Sequence, residues 1–219
     1  MNESLFFIHI AVAICFILLA CKRGKEALCA LFALQVVLAN LFVFKQITFA
    51  HLTITCTETL TIGSMLTLNV LQEAYGKKTA RRAISTTFLL LIFFAAMATF
   101  HLLYRPSPFD TTHVAYMRIL SHGPRVVFAS LAVTFVVQHI DVALYGAFQK
   151  RMPESWVIPR TVGSLLITQL LDTVLFSFVG LYGLVANIWH IILASTLIKY
   201  VIIFSMAPFS AAAKRMRAT

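Results

Sequence analysis

Seven long, nearly unbroken apolar runs dominate this chain: Ser4–Cys21, Ala27–Phe44, Thr57–Tyr75, Ala83–Tyr104, Val126–Gln149, Thr161–Gly180 and Leu184–Pro208. A run of about 20 apolar residues is long enough to cross the hydrocarbon core of a bilayer as a helix. Only helices and closed barrels satisfy their own backbone polar groups there, and these runs are too long and too continuously apolar for barrel strands. Sixty per cent of the 219 residues are apolar, 12% are charged and the mean hydropathy is +0.87, whereas a soluble domain is nearer half apolar and a quarter charged. The expected fold is therefore all-α: a polytopic transmembrane helix bundle forming one membrane domain over residues 1–219.

The third run is the weakest, charge-free only from Thr59 to Gln72 and rich in threonine, which is compatible with a short or partly re-entrant helix. Between the sixth and seventh runs the only punctuation is Gly180-Leu181-Tyr182-Gly183. It permits a tight turn and hence a count of seven, or six if the turn is not made. No Lys or Arg precedes the first run, and Lys22, Arg23 and Lys25 follow it. That order is the reverse of a signal peptide's, so a retained helix is expected. The connector Arg105–Pro124, with Pro106 and Pro108, is expected to be a surface loop.

The net charge of +10 does not signal nucleic acid, because the basic residues sit in short clusters between apolar runs and not on one face. Membrane topology accounts for them: Lys and Arg collect in cytoplasmic loops. With the N-terminus outside, the C-terminus inside and seven crossings, the cytoplasmic positions hold Lys22, Arg23, Lys25, Lys77, Lys78, Arg81, Arg82, Lys150, Arg151, Arg160, Lys214, Arg215 and Arg217, thirteen of the eighteen basic residues. Lys45, Arg105, Arg118 and Arg125 fall on the opposite face. Cys15, Cys21, Cys29 and Cys56 show no CxxC pair and no metal-ligand spacing with histidine, and are expected to be buried apolar residues. No metal site or cofactor is implied.

An ionised group near the bilayer centre costs several kcal/mol, so ionisable residues within spans face the bundle interior and mark pathways. Asp172 lies about eleven residues, or about 17 Å, into the sixth run. Gln169 and Thr173 accompany it, and Thr161, Ser164 and Thr168 extend a polar stripe at helical spacing. The fifth run repeats the Gln-x-x-Asp device with Gln138 and Asp141, followed by Tyr145. The third offers Asn69, Gln72 and Glu73; the second offers Asn40, with Lys45 beyond its outer end. Single Gln, Thr and Asn residues serve equally as polar glue between helices, whereas two aspartates with matching glutamines point to a ligand. Glu73 lies close enough to the Gly76–Lys78 loop for a salt bridge with Arg81 or Arg82 instead of a ligand contact. His139 is rotated away from Asp141 and reads as a packing or lipid-interface residue. The chain has no Ser-His-Asp, His-Glu-x-x-His or glycine-rich phosphate loop, which argues against an enzyme.

The segments ANLFVFKQI, IGSMLTLNVLQEAYGKKTARRAI, PRVVFASLAVTFVVQHID and IPRTVGSLLITQLLDTVLF, with Lys199 and Pro208, resemble the queuosine precursor transporter family, also called the vitamin uptake transporter family. The resemblance covers nearly all the chain after residue 35. It matches the family pattern at Asn40, Lys45, Glu73, Tyr75, Gly76, Arg81, Arg125, Ser130, Gln138, Asp141, Arg160, Gln169, Asp172 and Lys199. It departs at Asn69, where aspartate is common, and at Gln72, where threonine is usual. The resemblance implies a six-helix transporter core over residues 26–210, with residues 1–25 as an added N-terminal helix. It further implies a multi-pass protein of the cytoplasmic (inner) membrane that takes up 7-deazaguanine bases for queuosine salvage: queuine, the 7-cyano base or its aminomethyl form.

A guanine-like edge offers an N–H and an amino group to a carboxylate and an oxygen to Gln, Asn or Lys. The expected substrate site is accordingly Asp172, Gln169, Asp141, Gln138, Glu73, Asn69 and Asn40, with Lys45, Gln72, Thr173, Tyr145 and Lys199 as additional candidates. The expected partners are the small-molecule deazapurine and the lipid bilayer, with self-association left open. Three alternatives stand beside this reading: a substrate-binding membrane subunit that needs a partner ATPase assembly, a carrier of another purine-like or vitamin substrate, and an intramembrane enzyme using Asp141 and Asp172 as acid and base.

Overall fold

The first two apolar runs part at Gly24, whose φ of 102° takes the chain from Asn2–Arg23 (α1) into Lys25–Phe42 (α2) without a loop. The computed structural model describes residues 2–43, 45–49, 52–55, 57–120, 124–183 and 188–218; Phe44, Cys56 and Leu184, which the sequence reading used, lie outside them. After α2 comes an unforeseen antiparallel hairpin, Gln46–Phe49 (β1) and Leu52–Thr55 (β2), which pairs Gln46 with Thr55 and Phe49 with Leu52. Its β-branched alternation suits a strand better than a helix. It is tied to α1 by Asn2 Nδ2, which donates to the Thr48 carbonyl at 2.9 Å, and by Phe6, whose ring centroid lies 4.6 Å from that of Phe49.

Next is Glu58–Leu103 (α3), 46 residues with a single non-helical residue, Gly76, at φ 84° and ψ 164°. A straight helix of that length would be about 69 Å long, more than twice the ~30 Å of a hydrocarbon core. The contacts show instead that the chain reverses at Gly76. Gln72 and Glu73 reach Val142 and Tyr145 on Pro124–Arg151 (α5). Beyond the kink Lys77 lies against Gly146, and Phe88 packs on Phe135 with centroids 4.7 Å apart, back along α5. The two halves of α3 are therefore two crossings. Together with α1, α2, α5, Val157–Phe176 (α6) and Ile188–Met206 (α7), they make seven. The first half of α3 is neither short nor re-entrant: it is continuous from Glu58 to Tyr75, and every residue from Ile62 to Gln72 is buried.

Between α3 and α5, the expected loop holds a short helix, His113–Leu120 (α4), with no buried residue. Asp110 starts it, its Oδ1 accepting from the Thr112 amide and hydroxyl, both at 2.7 Å, and from the His113 amide at 3.2 Å. This is how a capping aspartate satisfies the free amides of a first turn. α6 continues as a wide π-helical turn, Ser177–Leu181, and the chain then turns at Tyr182 and Gly183, the latter at φ 80°. Pro208, whose ring suits a first helical turn, opens the last element, Pro208–Ala218 (α8).

One apolar core joins α1 to α7 and the first half of α3 through Ile10, Ile17, Ile62, Leu66 and Ile202. A second joins α2 to both halves of α3 through Phe32, Val36, Leu71 and Ile84. The outer surface is apolar as well, with Leu5, Ile8, Phe16, Leu89, Phe93 and Phe100 all exposed, as lipid-facing helices require. Cys15 lies on that surface, contrary to the expected burial; Cys21 is buried and Cys29 half-buried. The α1–α2 junction, where Gly24 lies beside the Tyr75 hydroxyl, the Gly76 reversal, the start of α6 and Lys214 of α8 gather at one end of the bundle. That end carries the clusters assigned above to the cytoplasmic face.

Candidate functional site

Polar side chains inside this apolar bundle occupy three levels, and the outermost surrounds a cavity of about 170 Å³. It lies toward the hairpin end, enclosed by α2, the end of β2, the start of α3, and α5, α6 and α7. Lys199 of α7 anchors its charge. The buried ammonium donates to Asp172 Oδ2 at 2.7 Å and to Thr173 Oγ1 at 3.0 Å, with Glu58 Oε2 at 3.9 Å. Glu58 in turn accepts from Thr55 Oγ1 at 3.3 Å, so the hairpin contributes to the wall. Two carboxylates thus face one buried ammonium, and hydrogen bonds between charged groups are short and strong. Asn40 Oδ1 accepts from Ser130 Oγ at 2.7 Å, while its Nδ2 donates to the Val36 carbonyl at 2.9 Å. Gln138 and Gln169 both line the cavity, and Gln169 Oε1 is buried with no hydrogen-bond partner among the described residues. The ring of Phe176 supplies an apolar wall.

Of the residues singled out from sequence, Asn40, Gln138, Gln169, Asp172, Thr173 and Lys199 line this cavity. Asp141, Asn69, Gln72, Glu73, Tyr145 and Lys45 do not. Lys45 is exposed beyond α2. Asp141 is buried between α5 and α6, where its Oδ1 accepts from Ser164 Oγ and, at 3.2 Å, from Thr168 Oγ1. Gln72 Nε2 donates to the Val142 carbonyl at 3.0 Å, and the buried Asn69 side chain has no hydrogen-bond partner among the described residues. These three form the middle level.

Glu73 heads the innermost level, at the basic end. Its Oε2 accepts from Tyr145 OH at 3.0 Å and Gln149 Nε2 at 3.2 Å, and its Oε1 from Arg160 at 3.0 Å and Lys214 at 2.9 Å. Its partners are therefore Arg160 and Lys214, not Arg81 or Arg82. Arg160 also donates to the Glu154 carbonyl, and Lys214 bonds Glu154 Oε1 at 3.2 Å. One carboxylate binds α3, α5, α6 and α8 together.

Glu58 is the cavity residue that the sequence reading passed over. The signal was present: a carboxylate immediately before the charge-free stretch that begins at Thr59, with Thr55, Thr57 and Thr61 around it. His139 is half-buried, its ring tilted against that of Phe135 and its Nδ1 at 2.9 Å from the Phe135 carbonyl, away from the cavity as expected. Among the described residues no group of three or more His, Cys, Asp or Glu is placed to hold a metal.

Membrane-spanning helices with an apolar outer shell define a multi-pass membrane protein. Residues 58–213 match the model of the family described as "Putative vitamin uptake transporter", and the chain belongs to that family. Over 98% of its length, and 96% of the relative's, it is 30% identical to the "Probable queuosine precursor transporter" of Bacillus subtilis (strain 168). No solved structure matches it significantly.

Proposed function

We propose that this protein imports a queuosine precursor, a 7-deazaguanine base, across the cytoplasmic membrane, binding it in the outer cavity. The observation that carries the reading is the composition of that cavity: Glu58 and Asp172 around Lys199, next to Gln138 and Gln169. A guanine-type edge pairs a ring N–H and an amino group with a carboxylate, and its oxygen takes a donor from Lys199 or an amide. Phe176 offers a face for the flat ring. The position of the cavity, away from the basic end that the positive-inside rule assigns to the cytoplasm, supports uptake from the outer side. The name of the Bacillus subtilis relative points to the same substrate class.

The test is uptake of labelled deazaguanine bases by cells that lack their own carrier and any partner ATPase module. Accumulation with this chain, lost in Asp172→Asn and Glu58→Gln at equal membrane abundance, is the expected result. Failure to accumulate any such base would overturn the proposal.

A further inference from the structure

The middle level carries a second inference. Asn69 and Gln72 of α3 and Asp141 of α5 are all buried, yet Asn69 Nδ2 and Oδ1, Gln72 Oε1 and Asp141 Oδ2 have no hydrogen-bond partner among the described residues. Buried polar atoms are almost always paired, and leaving one unmade costs about 1–3 kcal/mol. These four atoms, on neighbouring turns of α3 and α5, are open to partners that come from outside the chain.

Their position is ordered. Gln138 and Gln169 floor the outer cavity; Asp141 lies one helical turn further along α5, and Gln72 reaches Val142 beside it. One residue further along α3, Glu73 closes the path through Arg160 and Lys214. This level therefore lies between the cavity and the ion cluster, where α3, α5 and α6 meet.

We propose that Asn69, Gln72 and Asp141 form a second ligand station, which the solute occupies after it leaves the outer cavity and before the Glu73 cluster opens. The unpaired set comprises three acceptor oxygens and one amide donor, so it suits a molecule rich in N–H groups that also carries an acceptor. This choice of ligand rests on the deazaguanine reading above; the existence of the station does not.

The experiment uses single cysteines in a background with the four native cysteines replaced by alanine, confirmed to melt like the native protein. Asn69→Cys and Gln72→Cys are exposed in intact membranes to a small hydrophilic methanethiosulfonate. Leu68→Cys and Leu71→Cys, at equally buried positions on the same helix, are the controls. The station requires that positions 69 and 72 label while 68 and 71 stay unlabelled; because either variant alone reports, a folding failure in one leaves the other decisive. Labelling that a deazaguanine base blocks supports both the station and the proposed function. Labelling that no such base blocks keeps the station and removes the substrate reading. Positions 69 and 72 as unreactive as 68 and 71 overturn the station and make the level a static seal.

Discussion

Replacing Glu73 by glutamine probes how the basic end of the bundle is held. The side chains of Arg160 and Glu73 are 1% and 8% exposed, so their 3.0 Å contact is a buried ion pair. Removing one partner of such a pair costs about 3–5 kcal/mol, because the other charge is left buried and uncompensated. Glutamine keeps the shape and can still accept a hydrogen bond, and Arg160 keeps the Glu154 carbonyl, which puts Glu73→Gln at the low end, about 3 kcal/mol. Arg160→Met removes one charged hydrogen bond, about 2 kcal/mol, but leaves Glu73 with Tyr145, Gln149 and Lys214. The Lys214 contact, with that side chain 31% exposed, contributes at most about 1 kcal/mol. The double variant has no stranded charge and should be more stable than Glu73→Gln alone. Thermal melting of detergent-purified protein reads this as a fall of roughly 6–12 °C for Glu73→Gln, partly restored by adding Arg160→Met. Additive losses in the double variant, or a Glu73→Gln protein that melts like the native one, would refute the reasoning.

Gly76→Ala should cost about 1–3 kcal/mol, since φ of 84° with ψ of 164° is a backbone region essentially confined to glycine. Among the described residues no atom lies within 4 Å of the added methyl group, so the loss is conformational and Gly76→Asn should melt no higher than Gly76→Ala in the same assay. At α4, the hydrogen bonds from Thr112 hold the Asp110 carboxyl below its ordinary pKa. A depressed folded pKa means that the cap is fully effective above the unfolded value and is lost as pH falls through the folded one. A spin label at Ala115→Cys, in the cysteine-free background, should therefore gain mobility below roughly pH 4, and Asp110→Ala should show that mobility already at neutral pH.

The spans were legible because lipid leaves an apolar run of helical length one option. The Gln-x-x-Asp pairs of α5 and α6 show where such reading stops. Gln138 and Gln169 both line the cavity, but α5 runs toward the basic end and α6 away from it. The same spacing thus sends Asp172 outward to Lys199 and Asp141 inward to Ser164. Helix direction, which spacing along one helix does not encode, divided what looked like a single site. Glu58 was passed over because it precedes the stretch read as the span's core, and only the fold brings it to Lys199 on α7. The hairpin and α4 are short, and their stability comes from contacts with α1 and from the Asp110 cap, which no periodicity announces.

A reversal made by one residue also restricts how this architecture can drift in evolution. Gly76 is the whole link between a buried crossing and a lipid-facing one, so both count their register from the same point. One inserted residue there would rotate a helix by about 100°, turning Leu71 or Ile84 out of the core and an oily face inward. Length variation among relatives should accordingly accumulate in the exposed segment between Leu103 and His113 and be absent at the Gly76 junction.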